Sequence, residues 1–202
     1  LAKYARQGVF RRRESGGSAL ELTMVLLSFA LFFLSDWNDW RWGRRGLRLC
    51  FPAGAALLAL SLVLLCRRGE PPAQGGARWA LWAGAAVFAL LLGDALLTAL
   101  RPRDAYGRPG ESRAVCTAGP YALCRHPGVL WLAGLTLCLR GAAGLPLRAA
   151  ALITALNVLL VWFEDACVFP ARLEGYGAYR RSVPFLIPNP HSIRACLRGG
   201  RP

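Results

Sequence analysis

The sequence predicts an all-α fold: a polytopic membrane helix bundle of about five transmembrane helices, followed by a C-terminal interfacial segment. Three observations lead there. The 202 residues are 55% hydrophobic, with a mean hydropathy of +0.35. Several uncharged apolar stretches approach or reach the roughly 20 residues that cross a bilayer as a helix. Between them lie short segments rich in Arg, Trp, Gly and Pro, the composition of interfacial loops and turns. The net charge of +14 is spread between the apolar runs rather than gathered on one polar face. That pattern suits anionic lipid and topology signalling, and argues against nucleic acid, for which no reading module is present.

Taken in order, residues 1–17 carry Lys3, Arg6 and Arg11-Arg12-Arg13 and read as a solvated basic tail. Ser18-Ala-Leu-Glu21 reads as a capping box opening the first helix, Ala19 to about Ser35, with Glu21 explained as the cap. Trp37, Trp40, Arg41, Trp42, Arg44 and Arg45 form an interfacial belt. Leu47 to Cys66 is the second span, and Arg67 to Gly76 a turn rich in helix breakers. Trp79 to Leu100 is the third span. It contains Asp94, a carboxylate that calls for a partner, a wet cavity or a short route to the surface. A polar loop follows. The fourth apolar run, from near Gly128 to Leu139, meets Arg140, Gly141, Gly144 and Pro146 before the fifth, Leu147 to Phe163. So tight a turn predicts an antiparallel pair packed side by side. Runs of about 18 residues rise roughly 27 Å, so the start of the fourth helix and the end of the fifth share one membrane face.

Lys and Arg number fifteen on the side of that face and of the C-terminus, against ten on the other. The bias predicts a cytoplasmic C-terminus. The seven cysteines include no closely spaced pair or His/Cys cluster. They read as small, buried, reduced side chains rather than metal ligands.

Two segments carry the chemistry. The first is Thr117-Ala-Gly-Pro-Tyr-Ala-Leu-Cys-Arg-His-Pro-Gly128. Pro120 and Pro127 each suit the first turn of a helix, where a missing N–H costs nothing. Arg125 and His126 sit at such a helix mouth, where unpaired N–H groups favour an anionic group such as a carboxylate. The plainer alternative makes them interfacial anchors. The second segment runs from Glu164-Asp165 through Tyr176 and Tyr179 to Val183-Pro184 and Pro188. Pro170 lies inside a helix that should continue, and predicts a kink. Here the alternative is an aromatic and charged cuff ending the last helix.

Together, Gly119-Pro120-Tyr121, Arg125-His126-Pro127, Glu164-Asp165, Tyr176, Tyr179 and Val183-Pro184 resemble the isoprenylcysteine carboxyl methyltransferase family and the related phospholipid N-methyltransferases. The resemblance covers about 115–190. It divides the chain into a basic tail (1–17), three helices with their loops (18–114), a methyltransferase-like core (115–190) and a basic C-terminal tail (191–202). It implies a polytopic membrane enzyme that uses S-adenosylmethionine, with its active site on the cytoplasmic side and no metal. The acceptor would be lipophilic: a prenylcysteine-like carboxylate, a phospholipid amine or a small thiol. Arg125, His126 and Glu164 would be catalytic. The cofactor would be held by Gly119, Pro120, Tyr121, Arg125, His126, Pro127, Glu164, Asp165, Tyr176 and Tyr179. Arg125 and His126 would meet its carboxylate, Glu164 or Asp165 its ammonium, and the tyrosines its adenine and sulfonium. Four positions depart from the family pattern: Val129 and Trp131 replace a Tyr and a Gly, Asp165 replaces a second Glu, and Pro170 falls inside a helix that should continue. An Arg-His-Pro motif with a Tyr and Val-Pro tail also occurs in NADPH-dependent sterol reductases. That activity, and a non-catalytic membrane scaffold, are the alternatives.

Overall fold

The computed structural model describes residues 2–99 and 113–198, with side chains for 19–96 and 114–198. Its helices are α1 (Ala2–Trp37), α2 (Cys50–Arg68), α3 (Gly75–Ala99), α4 (Pro120–Leu123), α5 (Pro127–Ala143), α6 (Leu147–Phe163), α7 (Phe169–Arg172), α8 (Tyr176–Ser182) and α9 (Pro190–Leu197). A 3₁₀ turn, Arg45–Leu49, leads into α2. π-helical turns extend α1 over Asn38–Trp42 and α6 over Glu164–Val168. The two-residue strands β1 (Arg113–Ala114) and β2 (Leu173–Glu174) pair in parallel.

The chain is an all-α polytopic bundle. Among the described residues, four helical stretches are long and apolar enough to cross a membrane: Ala19–Trp42, Arg45–Arg68, Gly75–Leu96 and Leu147–Arg172. α5 is apolar but has only 17 residues, rising about 25 Å against a hydrocarbon core of about 30 Å. Large apolar side chains such as Leu27, Leu60, Val63, Leu90, Leu137 and Leu159 face outward, as lipid-facing positions must.

Two helix pairs organise the interior. α1 packs along α2 and α3 along α5, while α6 joins them by touching both α1 and α5. The core where the pairs meet contains Val25, Phe29 and Phe32 of α1, Leu58 and Leu65 of α2, Leu132 of α5 and Ile153 of α6. α3 comes close to α5 at Gly134, where a Cβ would lie 2.6 Å from the Phe88 ring. Trp131, one turn earlier, lies against the same ring at 6.3 Å. The bulk of Trp131 is therefore taken up between α3 and α5.

The predicted α5–α6 hairpin forms. Gly144 N–H reaches back to Arg140 O, and the α2–α3 loop is tied to this turn by Glu70 N–H to Gly144 O. Two expectations about the ends fail. α1 runs unbroken through Ser18, so no capping box opens it there; Glu21, 1% exposed, instead accepts from Arg68 of α2 at 2.6 Å. A carboxylate buried between helices gains more from a cation on its neighbour than from its own backbone. Residues 190–197 are helical rather than a tail, because Asn189 and Ser192 form a reciprocal capping box. All seven cysteines are free thiols.

Candidate functional site

The site sits where α5 begins and α6 ends. Gly119 starts the local geometry with φ +60° and ψ −132°, a conformation that a residue with a Cβ rarely adopts. It turns the chain into α4, whose first residue is Pro120; Pro127 likewise opens α5. Both prolines thus occupy the first turns the sequence assigned to them. Between the two helices, Arg125 N–H bonds Pro184 O at 2.9 Å, clipping the motif to the C-terminal segment. That segment has its own small core: Tyr176, Tyr179 and Val183, with Val115, Tyr121, Phe169 and Leu173 packed on it.

At Pro170 the helix passes through a widened turn and continues into Phe169–Arg172. A proline ring at 170 crowds the carbonyl four residues back. The preceding turn is π-helical, and Phe169 N–H reaches Glu164 O five residues away. Such turns are rare and concentrate at functional positions. This one begins with Glu164-Asp165.

Asp165 is the centre of the polar network. Its side chain, 4% exposed, accepts from Arg125 Nε at 2.8 Å and Nη2 at 3.2 Å. Tyr176 Oη also donates to Oδ1, His126 Nε2 lies 3.3 Å from Oδ1, and Arg180 Nε lies 3.4 Å from Oδ2. Arg125 Nη1 donates to Arg180 O at 2.7 Å and Val183 O at 3.0 Å. Among the described residues, four of the five guanidinium N–H groups are thus engaged, and one N–H of Nη2 has no partner. The anion held at the mouth of α5 is accordingly this chain's own Asp165.

His126 lies between the two acids, with Nε2 toward Asp165 and Nδ1 3.8 Å from Glu164. Its ring stacks on Phe169 (5.7 Å, 14°) and meets Phe185 edge-on (5.1 Å). Asp165 favours the imidazolium. Burial, helped by the neighbouring Arg125 charge, outweighs Asp165 and pulls the pKa from 6.5 to about 4. Arg125 already neutralises Asp165, so His126 is neutral near pH 7. Nε2–H then donates to Asp165, leaving the Nδ1 lone pair toward Glu164.

The tyrosines do not all act as walls. Tyr121 Oη donates to Ala95 O at 3.3 Å and Tyr179 Oη to Tyr121 O at 2.8 Å, so these hydroxyls fasten α4 to α3 and α8 to α4. Burial, aided by the nearby Cys116, Glu164 and Asp94, pushes Tyr121 up to about 12. Burial and the bond to Asp165 also push Tyr176 up. Asp94, next to the Ala95 anchor point, is exposed, the short route to the surface that the sequence offered as one option.

Several participants were not visible in the sequence. Phe169 and Phe185 sandwich His126, and Arg180 joins Asp165. Asp36 lies in the end of α1 that packs against the π-helical turn beginning with Glu164. Its only local mark is an acid placed just beyond an apolar run and beside a tryptophan belt.

A shallow open depression of about 550 Å³ is lined by residues that include Pro71, Gln74, Arg78, Trp79 and Trp82. It lies at the other end of the bundle, by the α2–α3 loop, and its lining contains no acid or histidine. The buried acids and the histidine of the network are at the Asp165 end.

The fold and this network define a polytopic helical membrane protein with a buried ion-pair cluster at one end. Comparison with family models, curated proteins and solved structures finds no match.

Proposed function

We propose that the chain is a membrane-embedded S-adenosylmethionine-dependent methyltransferase acting on a lipophilic acceptor. One observation carries the reading. The two halves of the motif, with His126 and Glu164 38 positions apart in sequence, meet in one network in which His126 lies 3.3 Å from Asp165 and 3.8 Å from Glu164.

The residues present fit the cofactor's chemistry. Its amino-acid end needs opposite charges side by side, and this boundary provides Arg125, Arg180, Glu164 and Asp165. Asp165 is committed to Arg125, His126 and Tyr176, which leaves Glu164 as the carboxyl to meet an ammonium. The remaining Nη2–H of Arg125 would meet the carboxylate. Phe169, Phe185 and Tyr176 supply aromatic surface beside it. S-adenosylmethionine, when bound, supplies an electrophilic methyl group. The protein's part is then alignment and exclusion of water. A carboxylate or thiolate acceptor needs no base; for an amine, the Nδ1 lone pair of neutral His126 or Glu164 would take the proton.

The direct test gives methyl-labelled S-adenosylmethionine to membranes overproducing the chain and follows label into solvent-extractable lipid. The expected result is transfer above control membranes that falls with Glu164→Gln. Equal transfer in both refutes the assignment.

A further inference from the structure

At the end of the bundle away from Asp165, the α2–α3 loop and the α5–α6 turn build a site that the proposed chemistry does not use. Two backbone bonds fix the loop, Glu70 N–H to Gly144 O at 2.8 Å and Ala73 N–H to Gly141 O at 2.7 Å. The contact leaves no slack, since a Cβ at Gly144 would overlap Glu70 O. On this support lies the open depression of about 550 Å³, within the roughly 300–1,000 Å³ of small-molecule sites.

Arg78, the fourth residue of α3, is the only charged residue among those described that line the depression. Its guanidinium is pinned, because Nε donates to Ala142 O at 3.1 Å. Among the described residues, neither Nη group has a hydrogen-bond partner or an acid in ion-pairing range. Nη1 and Nη2 together make the fork that matches a phosphate. Glu70, the acid of the same loop, does not line the depression and is paired with Arg140 at 3.3 Å. The surrounding charge also favours an anion. Arg68 cancels Glu21 and Arg140 cancels Glu70, while Arg67, Arg78 and Arg148 are not ion-paired among the described residues.

The wall of the depression selects a lipid over a soluble anion. Trp79 and Trp82 line it and are 76% and 40% exposed. Ala86 and Leu90 are exposed too, and continue the same helix face at seven and eleven positions after Trp79. An acyl chain covers such a strip, whereas a soluble ligand leaves it bare. Indole rings at a bilayer boundary offer an apolar face to the chain and an N–H to the ester and phosphate level.

We propose that Arg78, Trp79 and Trp82 form a binding site for one anionic glycerophospholipid, with the phosphodiester on the Arg78 fork, the glycerol against the indoles and an acyl chain along Ala86 and Leu90. The site does not depend on the methyltransferase reading.

Native mass spectrometry of the delipidated full chain in detergent, titrated with dioleoylphosphatidylglycerol, reads the site directly. Wild type should take up one lipid saturably before further adducts appear. Dioleoylphosphatidylcholine should bind about threefold more weakly or worse, because choline cancels the head-group charge beside the arginines. Arg78→Gln should weaken the first uptake about tenfold, the size of one charge-assisted hydrogen bond. Arg78 also ties α3 to the end of α5, so a second variant separates binding from folding. Trp79 is largely exposed, and Trp79→Ala should melt like wild type while binding about fivefold more weakly. Arg45→Gln, at the opposite end, should match wild type. Equal first-lipid affinity in wild type, Arg78→Gln and Trp79→Ala overturns the proposal, as does equal uptake of the two lipids. Displacement of the lipid by an equal concentration of glycerol 3-phosphate would overturn it as well, and make this a site for a soluble phosphate.

Discussion

Replacing Asp165 with asparagine keeps the shape of the network's centre and deletes its charge. In the structure the Asp165 and Arg125 side chains are 4% and 9% exposed and joined by bonds of 2.8 and 3.2 Å. Breaking one partner of a buried pair costs about 3–5 kcal/mol. The lower end applies, since Arg125 keeps its bonds to Arg180 O and Val183 O, and Tyr176 Oη still finds an amide oxygen. About 3 kcal/mol is roughly a hundredfold in the folding equilibrium, or a fall in Tm of about 6–12 °C for a chain of this length. Asp165→Ala also strands the tyrosine and histidine donors and should cost more, about 4–5 kcal/mol. Thermal unfolding in detergent, read from tryptophan fluorescence, measures both. The same cycle with Arg125→Met should show strong coupling, because the double variant leaves no unpaired charge. An Asp165→Asn variant melting within about 1 °C of wild type would refute the view that this ion pair joins the C-terminal segment to the bundle.

Three further outcomes are expected. His126 has its pKa lowered from 6.5 to about 4, so between these values the unfolded chain binds more protons than the folded one. Its contribution is complete above pH 6.5 and is lost as the pH falls through that window; His126→Asn should flatten this acid limb in melts taken from pH 7 to 4. Gly134→Leu forces a side chain into the Phe88 ring, which a Cβ alone would approach to 2.6 Å, and should cost about 1–3 kcal/mol in the same melts. Reporter fusions after Leu197 should read as cytoplasmic, from the excess of Lys and Arg on that side; an external reading reverses the topology.

What could be read without coordinates was governed by rules local to the chain. Apolar runs gave the five helices, and the short turn at residues 140–146 brought His126 beside Glu164 because two antiparallel helices of similar length must end together. Pro120 and Pro127 marked helix starts, and Pro170 a disturbance, because proline's geometry acts within one turn. Contacts between elements distant in sequence were not legible. Glu21 looked like a cap because Ser18 stands three residues before it; only α2 packing against α1 supplies Arg68. Asp165, not Glu164, is the acid that Arg125 binds; adjacent helical residues point to different faces, and only the packing of the neighbouring elements decides which face meets Arg125. Asp36 became part of the site only through the α1–α6 contact at Phe163.

The methyltransferase reading is tested most directly by calorimetric titration of the detergent-purified full chain with S-adenosylmethionine and, separately, NADPH. Saturable binding of S-adenosylmethionine, weakened at least tenfold by Glu164→Gln and absent for NADPH, is the expected result. Binding of NADPH in its place would make the protein a reductase, and binding of neither would leave a membrane bundle whose Arg125–Asp165 pair is structural.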